Sequence, residues 1–137
     1  MPYYIRARTY YRYAEEKLAE AEMAAAKEPA RAVRLALDAV EKAIRALWAI
    51  VQIEAPKEKP PVEKIIPTLA QACEPWLAKE IEKAFKRIKE LAEIPTGEGA
   101  REAVELARFV VRETKKVLEP IIGPQETLSK HRKLYLL

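Results

Sequence analysis

The sequence is short of the residues that do chemistry. It has one Cys (Cys73), one His (His131), one Asp (Asp38), one Ser (Ser129) and no Asn, with only three Gly in 137 residues. A single Cys cannot close an internal disulfide, and Cys73 has no neighbouring His in sequence to act as the base of a nucleophile, so it reads as a small hydrophobe near a helix end. One His and no Glu-x-x-His pair exclude the di-iron carboxylate bundle and leave poor prospects for any metal site. Ser129 and His131 have no Asp near them in sequence, which excludes a serine-hydrolase triad. Gly97 and Gly99 follow no strand, so they are not a phosphate-cradling loop. No metal, cofactor or catalytic set is expected.

Long apolar runs are also missing. The longest, Ala46 to Val51, is far too short to span a bilayer, and the N-terminus lacks an apolar signal region. The expected location is the cytoplasm. Poverty in Asn and Cys, together with wealth in Glu, Lys and Arg, points to a thermophilic source.

What remains is helix-forming material. Half of the residues are hydrophobic and 34% are charged, dominated by Ala, Leu, Glu, Lys and Arg. The net charge is +4 and the pI about 9.1, mildly basic, which permits contact with nucleic acid without demanding it. Twenty of the 21 acids are Glu, spread along helices as a solvated face, and no pair stands out as a general acid and base.

The ten prolines divide the chain, because proline suits the first turn of a helix and breaks its interior. A first helix is expected from about Tyr3 to Lys27, with Ala7, Tyr11, Ala14, Leu18, Ala21 and Ala25 on a seam of small residues. A second runs from Pro29 to about Glu54 on Val33, Leu37, Val40, Ile44, Leu47 and Val51. It is the strongest stripe and the expected centre of the fold. Its opposite face carries Asp38, Glu41, Lys42 and Arg45, with Glu41 and Arg45 in the favourable order for a pair four residues apart. A charged, proline-rich connector covers 55–61. A short helix from Val62 to Cys73 follows, limited by Pro67. Pro75 opens a helix to Glu93, and the segment Pro95 to Gly99 reads as a turn. A last long helix spans about Ala100 to Ile122, its regular part ending near Leu118 because of Pro120. The expected architecture is one all-α domain over 1–123, an up-and-down antiparallel bundle of four to five helices, and a basic, apolar tail over 124–137. Trp48 and Trp76 are either core residues or part of a self-association surface with the C-terminal leucines.

One cluster suggests a ligand. Tyr3, Tyr4, Arg6, Arg8, Tyr10, Tyr11, Arg12 and Tyr13 are interleaved before any acid appears. Bases stack on Tyr while Arg neutralises phosphate, a composition that suits single-stranded RNA or nucleotides. The alternative is that the tyrosines bury their rings against neighbouring helices and keep their hydroxyls wet. Lys130, His131, Arg132 and Lys133 form a second basic cluster in the tail.

The stretch from Tyr10 to Ile53 resembles the opening of a HEPN domain. Its first helix carries the alanine seam Tyr13-Ala14-Glu15-Glu16-Lys17-Leu18-Ala19-Glu20-Ala21, and a break follows at Lys27-Glu28-Pro29. The second helix reads Ala32-Val33-Arg34-Leu35-Ala36-Leu37-Asp38-Ala39-Val40-Glu41-Lys42-Ala43-Ile44-Arg45-Ala46-Leu47. The resemblance extends over about 4–122. It implies a helical bundle, usually a homodimer, that operates beside a minimal nucleotidyltransferase and is associated with nucleotide or RNA binding. Many members are ribonucleases with an Arg and a His separated by four to six residues on the last long helix. Here Arg101 stands where that Arg would be, but Leu106, Ala107 and Arg108 occupy the His positions. His131 has Glu126, Gln125 and Pro124 where its Arg is needed. The general acid and base of RNA cleavage are therefore missing, and the chain resembles a non-catalytic branch. Expected ligand contacts are Arg6, Arg8, Tyr10, Arg12 and Arg101. A plain protein–protein scaffold, and a ribonuclease with an unconventional residue set, are the alternative readings.

Overall fold

The computed structural model describes residues 4–52 and 58–123. The expected tail over 124–137 and Tyr3 lie outside the described residues. Among the described residues five α-helices occur in order: α1 (Tyr4–Ala24), α2 (Pro29–Ala49), α3 (Val62–Ile65), α4 (Pro75–Glu93) and α5 (Gly97–Ile122), with a 3-10 helix (Ile66–Gln71) directly after α3. No strand occurs among the described residues. The chain is an all-α helical bundle.

The central place of α2 follows from its sequence. It buries Val33, Val40, Ile44 and Leu47 together with Ala32, Ala36, Ala39, Ala43 and Ala46, and it packs against α1, α3, α4, α5 and the 3-10 helix. Facing alanines let helix axes approach closely. Those on α2 share one buried core with Ala14, Ala21 and Ala24 of α1 and Ala100, Ala103 and Ala107 of α5.

Cross-helix bonds fix the directions. Arg8 reaches the carbonyl of Ile122 and Arg108 reaches Glu22, so α1 and α5 run antiparallel. Arg87 binds Glu102 with both Nε and Nη2, at 2.6 and 3.0 Å, closing α4 against α5 as a second antiparallel hairpin. With α1 also antiparallel to α2 across the short 25–28 turn, α2 and α5 run parallel and pack directly on each other.

Five boundaries differ from the sequence expectation. Helix α1 ends at Ala24, not near Lys27. Helix α2 ends at Ala49, not near Glu54. Past it stand Ile50 and Val51, whose branched Cβ atoms lower helix propensity. The short helix is α-helical only to Ile65, and Pro67 then sits in the first turn of 3-10 structure, where its missing N–H costs no bond. The glycine pair that reads as a turn is the start of α5, because Thr96 is a true N-cap whose Oγ1 accepts the Gly99 N–H at 2.9 Å. Helix α5 also runs through Pro120 to Ile122. The proline lies in the last turn, where the Gly123 N–H still reaches the Glu119 carbonyl. Beyond it Ile122 is buried and Ile121 is 42% exposed.

Cys73 is half-buried, and its thiol faces the Leu69 carbonyl. Burial, with the charge of Glu74, pushes the thiol above its ordinary range, the opposite of an activated nucleophile.

Candidate nucleic-acid interface

Successive side chains on a helix are about 100° apart, so Arg6, Tyr10 and Tyr13 share one face of α1 while Arg8 and Arg12 point to the other side. The structure uses this division. Ile5, Thr9 and Tyr13 line a surface groove of about 600 Å³ together with Lys42 of α2. A smaller recess of about 230 Å³ continues from it, with Arg45, Trp48 and Pro60 in its walls. Arg6, Tyr10 and Lys59 line both. Among the described residues the walls carry four cations, three large aromatic rings and no carboxylate.

Two contacts involve the groove walls. The Lys59 ammonium stands 5.9 Å from the centre of the Tyr10 ring, a cation–π contact between the connector and α1. Lys42 bonds Asp38 at 2.7 Å. This is the ion pair α2 forms here, whereas the expected Glu41–Arg45 pair does not close to ion-pair distance among the described residues. Arg45 is not on a solvated face either: it is 8% exposed. Glu41 is half-buried, and its carboxyl is raised above the usual range by burial first and then by Asp38, opposed by Lys42 and Arg45.

The five residues expected from sequence are therefore separated. Arg6 and Tyr10 are in the groove. Arg8 is not: its guanidinium donates to the Ile122 carbonyl at 2.9 Å, satisfying one of the orphan acceptors at the end of α5. Arg12 lies 3.6 Å from Glu16, and its guanidinium sits 5.3 Å from the centre of the Tyr13 ring, so it touches the groove only through that ring. Arg101 is in the second turn of α5. At a rise of 1.5 Å per residue it is roughly 30 Å from Ile122, at the opposite end of the bundle from Arg6. Of the neighbouring tyrosines, Tyr11 is core, at 3% exposure, while Tyr13 is 39% exposed.

Sequence reasoning missed Lys42, Arg45, Trp48 and Lys59. A signal was present on α2, where Lys42, Arg45 and Trp48 recur every third residue along one edge of the apolar stripe. Nothing local indicates that this edge meets the tyrosine face of α1. Trp76, by contrast, is exposed and bonds Glu74 through its indole N–H at 2.7 Å, away from the core.

Among the described residues no group of three His, Cys, Asp or Glu is placed to hold a metal ion, and no helix is long and apolar enough to cross a membrane. No protein-family model, curated protein or solved structure matches the chain.

Proposed function

We propose that this chain is a non-catalytic, HEPN-like binding module whose α1–α2 groove takes a nucleotide, free or within single-stranded RNA. The observation that carries this reading is the lining itself: Tyr10, Tyr13 and Trp48 interleaved with Arg6, Lys42, Arg45 and Lys59, and no acid among the described lining residues. Exposed rings give bases a stacking surface, and cations beside them neutralise phosphate without selecting a sequence. A homodimer, and a minimal nucleotidyltransferase as partner, belong to the same proposal and come from the family resemblance.

The test is fluorescence anisotropy of a labelled single-stranded RNA titrated with the full chain at several salt concentrations. Binding is expected to weaken with salt. About three phosphate contacts give a slope of log K against log salt near −2. Substituting Tyr10 and Tyr13 with Ala should lower affinity without changing that slope, because stacking is not ionic. Absence of binding at low salt would leave the protein–protein scaffold as the better reading.

A further inference from the structure

The two compartments of the groove differ in chemistry. The wider one is bounded by Ile5, Thr9, Tyr10 and Tyr13, rings and a hydroxyl suited to a base and its sugar. The narrower one is also the more enclosed, and Arg45 forms part of its wall. Arg45 combines two properties that rarely go together. It is 8% exposed, and among the described residues it makes no hydrogen bond and no ion pair within 4 Å. Glu41 and Glu63 feel its charge, but only from a distance. A guanidinium has five donors and cannot shed its proton; no Arg45 nitrogen is among the fully buried, unpartnered atoms, so the small exposed part of the residue includes donors, in the wall of the recess. Lys59 and Arg6 face the same space.

We propose that this recess is a subsite for a terminal phosphate, a phosphomonoester, attached to a nucleoside whose base lies along Tyr10 and Tyr13. The proposal rests on the nucleotide-binding reading above and makes it specific. A monoester carries a charge of about −1.5 to −2 at neutral pH and three strong acceptor oxygens, whereas the diester inside a strand carries about half that charge and two free oxygens. Several converging cations, one of them a planar fork on a largely buried side chain and able to bind two oxygens at once, match the monoester better. The groove then reads the end of a strand, or a free nucleoside monophosphate, and not the middle of a strand.

The test compares one short labelled RNA carrying a 5′-phosphate with the same RNA carrying a 5′-hydroxyl, both titrated with the full chain. The phosphorylated RNA is expected to bind about ten-fold tighter or better, the effect of one good charge-assisted contact. Arg45→Met should reduce that preference to near unity, with circular dichroism confirming the helical fold. Arg45 is inside the packing of α2, so Lys59→Ala, on the exposed connector, serves as a second variant and should lower the preference by about three-fold, a partial loss of such a contact. Competition with adenosine 5′-monophosphate distinguishes the sources. Displacement at concentrations similar to the phosphorylated RNA assigns the site to free nucleotides, and failure to displace assigns it to RNA ends. Equal binding of the two RNAs by the wild type would overturn the terminal-phosphate subsite and leave the groove reading standing. A preference unchanged in both variants would also overturn it, by placing the phosphate elsewhere. Binding of neither RNA would overturn both.

Discussion

The Arg8 guanidinium donates to the Ile122 carbonyl oxygen at 2.9 Å, joining the first turns of α1 to the last turn of α5 across 114 residues of sequence. The bond makes Arg8 a helix-end clasp. Arg8→Met keeps most of the apolar stem and removes the donor. It should cost about 1.5–3 kcal/mol of stability, as for a hydrogen bond involving a charged group, measured by urea unfolding. RNA affinity at temperatures well below the transition should be unchanged.

The arginines expected to act together should therefore behave differently. Arg6→Gln should weaken RNA binding by about ten-fold, the loss of one charge-assisted contact. Arg12→Gln and Arg101→Gln should each stay within about two-fold, since exposed charges away from the ligand act only through a screened field. Anisotropy titrations of the three variants at one salt concentration decide this. Equal losses in all three would mean a diffuse basic surface and not a groove.

Thr114 is completely buried on α5, and its hydroxyl has no hydrogen-bond partner. A buried unsatisfied hydroxyl carries a desolvation cost, and replacing it with an apolar group of the same shape can recover that cost. Thr114→Val should raise stability by about 0.5–1 kcal/mol, seen as a higher denaturant midpoint with an unchanged slope.

Tyr11 gives an alkaline prediction. Its phenol is held protonated well above its ordinary value, by burial first and then by the charge of Glu15 beside it. The folded state therefore keeps a proton that the unfolded chain releases near pH 10. The resulting stability is fully present below that pH and is lost as pH rises above it. Tyr11→Phe should be flatter than the wild type in stability between about pH 9.5 and 11, as followed by urea midpoints. An identical decline in both proteins would show that another group controls it.

Much of the fold could be read from periodicity. The stripes on α1 and α2 bury most of the residues expected, since the pattern of apolar side chains repeats with the helical turn. The errors fell where a single residue had two readings. Thr96-Gly97-Glu98-Gly99 has the composition of a turn and is a capped helix start; Pro120 has the reputation of a breaker and is tolerated one turn from the end. The site was only half legible. Arg6 and Tyr10 are in it because their four-residue spacing keeps them on one face, while Arg8 and Arg12 were grouped with them by proximity in sequence and are turned away by the same geometry.

The sequence by itself determined the helices, the central place of α2 and the excess of positive charge, because these depend on composition and on a period of 3.6 residues. Only the tertiary structure decided the groove. Lys42, Arg45 and Trp48 lie on α2 and Lys59 on the connector, and they meet Tyr10 only because alanine seams draw α1 and α2 together in antiparallel register and bring 58–60 back over their open end. Local periodicity says which face of a helix is buried. It does not say which neighbour covers the edge of that face, and the site is built on that edge.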